Sequence, residues 1–155
     1  MNKFITLTIS SLLLASTVAC NNASQTSADA PGTVQENPTP PAPESVKETK
    51  EDAASKLRRE QLDADIRARE QRNNITGGDT ERAPADLQSE VRSKLEANIR
   101  GSQLAINAND QGVVVITGTV PKAADKAQID VLAKQIKGVK AVNTEKVLVA
   151  PATPQ

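Results

Sequence analysis

The 155-residue chain has no histidine, tryptophan or tyrosine, and a single cysteine, phenylalanine and methionine. Phe4 and Cys20 both lie near the N-terminus, so beyond Cys20 there is no imidazole, thiol, phenol or indole. The usual zinc and transition-metal ligands are therefore missing. So are the commonest general base and the cysteine nucleophile. Aromatic faces on which bases or sugars stack are missing as well. Lys+Arg and Asp+Glu each number 19, so there is no basic excess of the kind a nucleic-acid partner selects. An enzyme would have to be built from carboxylates, lysines and serines. Asp125 and Asp130 share a predicted helix but lie about 140° apart around it and do not converge. Ser89 and Ser93 have no partner base. We assign no catalytic residue, no cofactor and no metal site, and expect a protein that is not an enzyme.

What is present begins with a targeting segment. Lys3 gives a short positive start, and Phe4 to Ala19 then runs without a charge. This is the form of a secretory signal over residues 1–19. It is short and Ser/Thr-rich for a transmembrane helix, which needs about 20 mostly apolar residues. The run ends in Thr17-Val18-Ala19-Cys20, which resembles a bacterial lipobox, with threonine where leucine is commonest. That resemblance implies lipidation at Cys20. Ordinary cleavage near Ala19 and an uncleaved anchor are the alternatives. A use in lipid attachment accounts for a lone cysteine in an exported chain.

Residues 20–43 read as a lipidated, proline-rich, disordered tether: five of the nine prolines fall between Pro31 and Pro43. A flexible coil of that length spans about 25 Å. Residues 44–73 are dense in charge, without Pro or Gly, and predict a charged helical spacer about 45 Å long. Asp52/Lys56, Asp63/Arg67 and Asp65/Arg69 have helical i,i+4 spacing. Val46, Leu57, Leu62 and Ile66 make only a scattered apolar stripe, so a solvated single helix is expected, with a coiled coil as alternative. Residues 74–83 read as a linker.

Composition changes at Pro84. Val, Ile and Leu make up 20 of the 67 residues from Pro84 to Ala150, against 6 of the 63 from Asn21 to Ala83. Only residues 84–150 can build a core, with 151–155 as a tail. Leu87, Val91, Leu95 and Ile99 predict an amphipathic helix opened by Pro84. Leu104 and Ile106 alternate as in a strand, Asn109-Asp110-Gln111-Gly112 is a hairpin signal, and Val113 to Ile116 suits a central strand. Pro121 opens a second helix with the inner stripe Ile129, Leu132, Ala133 and Ile136, capped at Gly138. Val139 to Val149 is the last strand. The expected fold is α+β, in the order α-β-β-α-β. A right-handed crossover makes the last strand parallel to the second, giving a three-stranded mixed sheet with two helices on one face.

The segment resembles the BON domain, named for bacterial osmotically induced and nodulation proteins. The resemblance rests on Leu87/Val91/Leu95, on Gly112 through Val120, on Gly138-Val139-Lys140-Ala141-Val142-Asn143 and on Val147-Leu148-Val149. It implies a non-enzymatic protein of the cell envelope that binds phospholipid surfaces or envelope partners in a setting of envelope integrity or stress tolerance. Gly112, Gly118 and Gly138 read as architectural, with Gly118 marking a bulge or a close helix approach.

The expected function is therefore a lipid-anchored envelope protein whose BON-like domain contacts membrane phospholipid. Its location would be the periplasmic side of the outer or inner membrane. A protein-interaction adaptor is the alternative, and a chaperone-like role lacks the exposed apolar surface it needs. The expected anionic-surface contact is Lys122, Lys126, Lys134 and Lys137, which fall within one arc of an ideal helix beside the core stripe.

Overall fold

The computed structural model describes residues 23–75 and 82–150. The signal segment, Cys20, residues 76–81 of the linker and the 151–155 tail lie outside the described residues. In chain order the elements are β1 (Ser24–Gln25), α1 (Pro43–Ala54), α2 (Lys56–Ile75), α3 (Pro84–Asn98), β2 (Gln103–Ala108), β3 (Val113–Val120), α4 (Ala123–Lys134), β4 (Ala141–Asn143) and β5 (Val147–Val149).

The α-β-β-α-β order is present from α3 to β5. Pro84 sits at the first turn of α3, where its missing N–H costs nothing. β2 and β3 pair antiparallel, with Ile106 opposite Ile116. In the turn between them the Asn109 side chain accepts from the amides of Gln111 and Val113 at 3.1 and 2.9 Å. Gly112 supplies the positive φ of 77° that closes this turn. β3 then pairs in parallel with both β4 and β5, as the crossover rule requires. The last strand is not continuous. A turn at Thr144, tied by the Val147 amide to the Thr144 carbonyl at 3.0 Å, divides it into two short pieces on the same side of β3.

One apolar core lies between the two helices and one sheet face. Leu87, Val91, Leu95 and Ile99 meet Leu104, Ile106, Val114, Ile116, Val120, Ile129 and Val147, all buried. Each such side chain contributes about 1.5–3 kcal/mol by leaving water. α4 begins at Ala123 rather than Pro121 and ends at Lys134 rather than Ile136. Gly118 lies in a φ of 133°, and the close approach there is to strand, not helix: a Cβ would run into the Gln103 carbonyl of β2.

The N-terminal half departs furthest from expectation. Residues read as a disordered tether add a strand, which with the division of the last strand brings the sheet to five strands rather than three. β1 pairs antiparallel with β2, and the Thr26 amide continues the ladder to the Leu104 carbonyl at 2.9 Å. Ala30 and Val34 are buried, and the segment beyond β1 meets the sheet face opposite the helices. The physical reason is on that face. Gln103, Thr117 and Thr119 point there, and polar side chains on a sheet can be covered if the covering chain supplies bonds. The Thr117 hydroxyl donates to the Val34 carbonyl, and the Gln103 amide donates to the Ser45 hydroxyl.

The charged segment is two helices broken at Ser55, and α2 runs on to Ile75, past the expected boundary at Asn73. It is not a solvated spacer. α2 lies along α3, with Leu62 buried and a polar seam around it. Arg58 pairs with Glu96 at 2.5 Å, Arg69 with Asp86 at 2.7 Å and Arg92 with Asp65 at 3.6 Å. Of the spaced pairs read from the sequence, Asp65/Arg69 forms at 3.1 Å, whereas Asp52 meets Arg58 and Lys56 reaches Glu60.

Candidate functional site

The lysines expected to form one cationic face are strung along α4 and beyond it. Lys122 is the residue preceding the helix, in extended backbone. Lys137 lies past the helix end, in the turn leading to Gly138. A helix of 12 residues is about 18 Å long, so the two sit at opposite ends. Between them, Lys126 donates to the Val147 carbonyl on β5 and Lys134 pairs with Asp130 at 2.9 Å. Lys126 is thus half-buried against the sheet, its stem packed and its charge at the edge. The arrangement is a flank rather than a pocket. It could touch a broad anionic surface and could not enclose a small anion.

A second basic cluster went unseen in the sequence. At the start of α4, Lys50, Arg100 and Lys122 line a cleft with Asn98, Pro121 and Asp125. The stem of Lys50 covers Gly101. No local pattern could have found it, because Lys50 belongs to α1 and reaches the domain only through tertiary packing. Asp125 lines this cleft while Asp130 pairs with Lys134, so the two carboxylates do not form a common site. Ser93 donates to Asp65 and accepts from Arg92, which places it in the polar seam and not beside a base. Among the described residues no cluster of His, Cys, Asp and Glu has the composition of a metal site.

The most desolvated charges are structural. Arg82 and Glu90 are both fully buried, and one guanidinium nitrogen donates to both carboxylate oxygens at 2.9 Å. Burial pushes the Glu90 carboxyl above its ordinary value against the pull of Arg82, and Glu70 and Asp86 push it the same way.

The outer edge of the sheet carries exposed apolar side chains. Leu148 is 43% and Val149 42% exposed on β5, and Val131 is 59% exposed on α4. The Gly118 amide donates to the Lys146 carbonyl, and the Ala150 amide donates to the Val120 carbonyl. Alternation along a strand then directs the backbone groups of Val147 and Val149 away from β3.

No helix among the described residues is long and apolar enough to cross a membrane. Compared with known proteins, the chain finds no match among curated proteins and none among solved structures. A family model, that of the BON domain, matches residues 84–151, the stretch that opens with α3 and includes β5. BON domains are associated with phospholipid binding in envelope and osmotic-stress proteins, and the family is generally non-enzymatic. The two-helix layer over a mixed sheet coincides with the matched residues, so it is residues 84–151 that form a BON domain.

Proposed function

We propose that the protein is a non-enzymatic, lipid-anchored component of the cell envelope whose BON domain contacts anionic phospholipid. The observation that carries this reading is the BON domain at residues 84–151. The uncharged segment ending at Cys20 supports anchoring, because two or three acyl chains hold a protein stably where one does not. The flank of Lys122, Lys126, Lys134 and Lys137 supports the surface contact. Each lysine near an anionic leaflet contributes about 1 kcal/mol, which alone gives only weak binding. Anchoring the chain converts that weak contact into an intramolecular one.

Two measurements test the reading. Cys20→Ser should abolish acylation and shift the protein from the membrane to the soluble fraction. Unacylated Cys20→Ser protein should float with vesicles rich in phosphatidylglycerol and lose most of that binding in high salt. A Lys122/Lys126/Lys134/Lys137→Gln variant that floats equally well rejects the lysine flank.

The second reading is a protein-interaction adaptor, favoured by the β5 edge with exposed Leu148 and Val149. An extended segment of an envelope partner could add a strand there. Leu148→Lys should then abolish partner capture and leave vesicle binding intact.

A further inference from the structure

We infer that the protein presents the hairpin end of its sheet to the membrane, with the tip Asn109–Gly112 and the turn Lys137–Lys140 at the lipid surface. This rests on the reading of Cys20 as the lipidated residue and fixes how the anchored domain is oriented. β1 is locked in register, Ser24 opposite Ile106 and Gln25 opposite Ala105. Because the pair is antiparallel, the chain traced back from Ser24 heads past Asn107 toward the hairpin turn. Cys20 lies three residues before Ala23, a covalent reach of about 11 Å. That is less than half of the roughly 25 Å span of a free tether. The register puts Ala23, at the start of β1, level with Val115, so the hairpin end at Val113 is two residues away, about 7 Å, and the opposite end of the sheet at Val120 is five residues away, about 17 Å. An acyl anchor on Cys20 therefore reaches the hairpin end and falls short of the other.

The chemistry of that end suits headgroups. Asn109, Asp110, Gln111, Lys137 and Lys140 are exposed there. The Lys140 side chain lies against the Gly112 position, and the Lys140 amide donates to the Gly112 carbonyl at 2.8 Å, which joins hairpin and turn into one surface. The tip has no large apolar side chain to insert, so the contact is with headgroups rather than acyl chains. Two lysines against one aspartate give it a positive balance. Lys50, Arg100 and Lys122 sit at the other end, so in the anchored protein the lysine flank engages chiefly through its Lys134–Lys137 end and Lys122 contributes least.

The experiment uses acylated full-length protein carrying Gln111→Cys or Arg100→Cys, both at exposed positions, labelled with a thiol-reactive fluorophore. Thioether-linked Cys20 does not compete for the label. Each protein is reconstituted in phosphatidylethanolamine/phosphatidylglycerol vesicles containing a headgroup-nitroxide lipid. Quenching at Gln111 should exceed that at Arg100 by threefold or more. Equal quenching, or stronger quenching at Arg100, in protein whose acylation is verified by mass spectrometry overturns the orientation and leaves the anchor standing. Wild-type protein without acyl chains overturns the anchor itself, and the orientation with it. Lys137→Gln/Lys140→Gln should lower the quenching at Gln111, while Lys122→Gln should leave it unchanged.

Discussion

The hydroxyl of Thr117, on the central strand, donates to the backbone carbonyl of Val34 at 2.9 Å, across 83 residues of chain. This one bond ties a segment that reads as low-complexity onto the sheet face opposite the helices. Thr117→Val keeps the shape, removes the donor and leaves the Val34 carbonyl buried without it. The expected cost is about 1–3 kcal/mol. Thermal unfolding measures that cost. Hydrogen exchange should show protection falling at Ala30–Gln35 more than at Leu104–Ile106. Unchanged exchange across Ala30–Gln35 would mean that the segment does not lie on Thr117 in solution.

Gly118 allows β2 to approach β3 where no side chain could. Gly118→Ala places a methyl group on the Gln103 carbonyl and holds alanine at a φ of 133°. The domain should lose about 3 kcal/mol or more. A melting temperature within a few degrees of wild type would contradict the close approach.

The Arg82–Glu90 pair should show strong coupling. Removing either partner alone leaves a buried charge uncompensated, at about 3–5 kcal/mol. The double variant Arg82→Met/Glu90→Leu should lose less than either single one, because the two desolvation costs disappear together. Chemical denaturation of the four proteins decides it, and additive losses would speak against a desolvated pair.

The same pair predicts a pH dependence. The Glu90 carboxyl is held above its ordinary value of 4.5 in the folded state, so the folded protein binds a proton that the unfolded chain has released. Stability from this group is fully present below that value and declines as pH rises from 4.5 through the raised value. Glu90→Gln should flatten the decline when unfolding is followed across that range. An unaltered pH profile would remove Glu90 as its source.

The α2–α3 seam should open before the core does. It joins the helices through Arg58–Glu96, Arg69–Asp86 and Asp65–Arg92 around the single buried Leu62 of α2. Salt screens partly exposed ion pairs, and elements with few buried apolar contacts exchange at low free energy. In about 1 M salt, where the screening length falls to roughly 3 Å, amide protection over Lys56–Ile75 should drop while that of Val113–Val120 persists. Leu62→Ala, costing about 2–4 kcal/mol, should produce the same local loss at low salt. Simultaneous loss across both segments would show a single cooperative unit.

The BON unit was legible because its signals are local. Leu87, Val91, Leu95 and Ile99 recur at helical spacing, Asn109–Gly112 carries turn chemistry, and β3 to β5 follow from the handedness of the crossover. Those features are set by each residue's own backbone preferences and near neighbours, so the sequence by itself determined them. The surroundings were decided only in three dimensions. Asp86, Glu90 and Ser93 look like a solvated helix face until Arg69, Asn73 and Asp65 are brought against them. Thr117 and Gln103 look like an exposed strand face until Val34 and Ser45 cover them. Apolar periodicity reports burial because burying an apolar group needs no particular partner. A polar group is buried only where a complementary donor or acceptor arrives. Here the partners come from 8 residues away, as Arg82 does for Glu90, to 83 residues away.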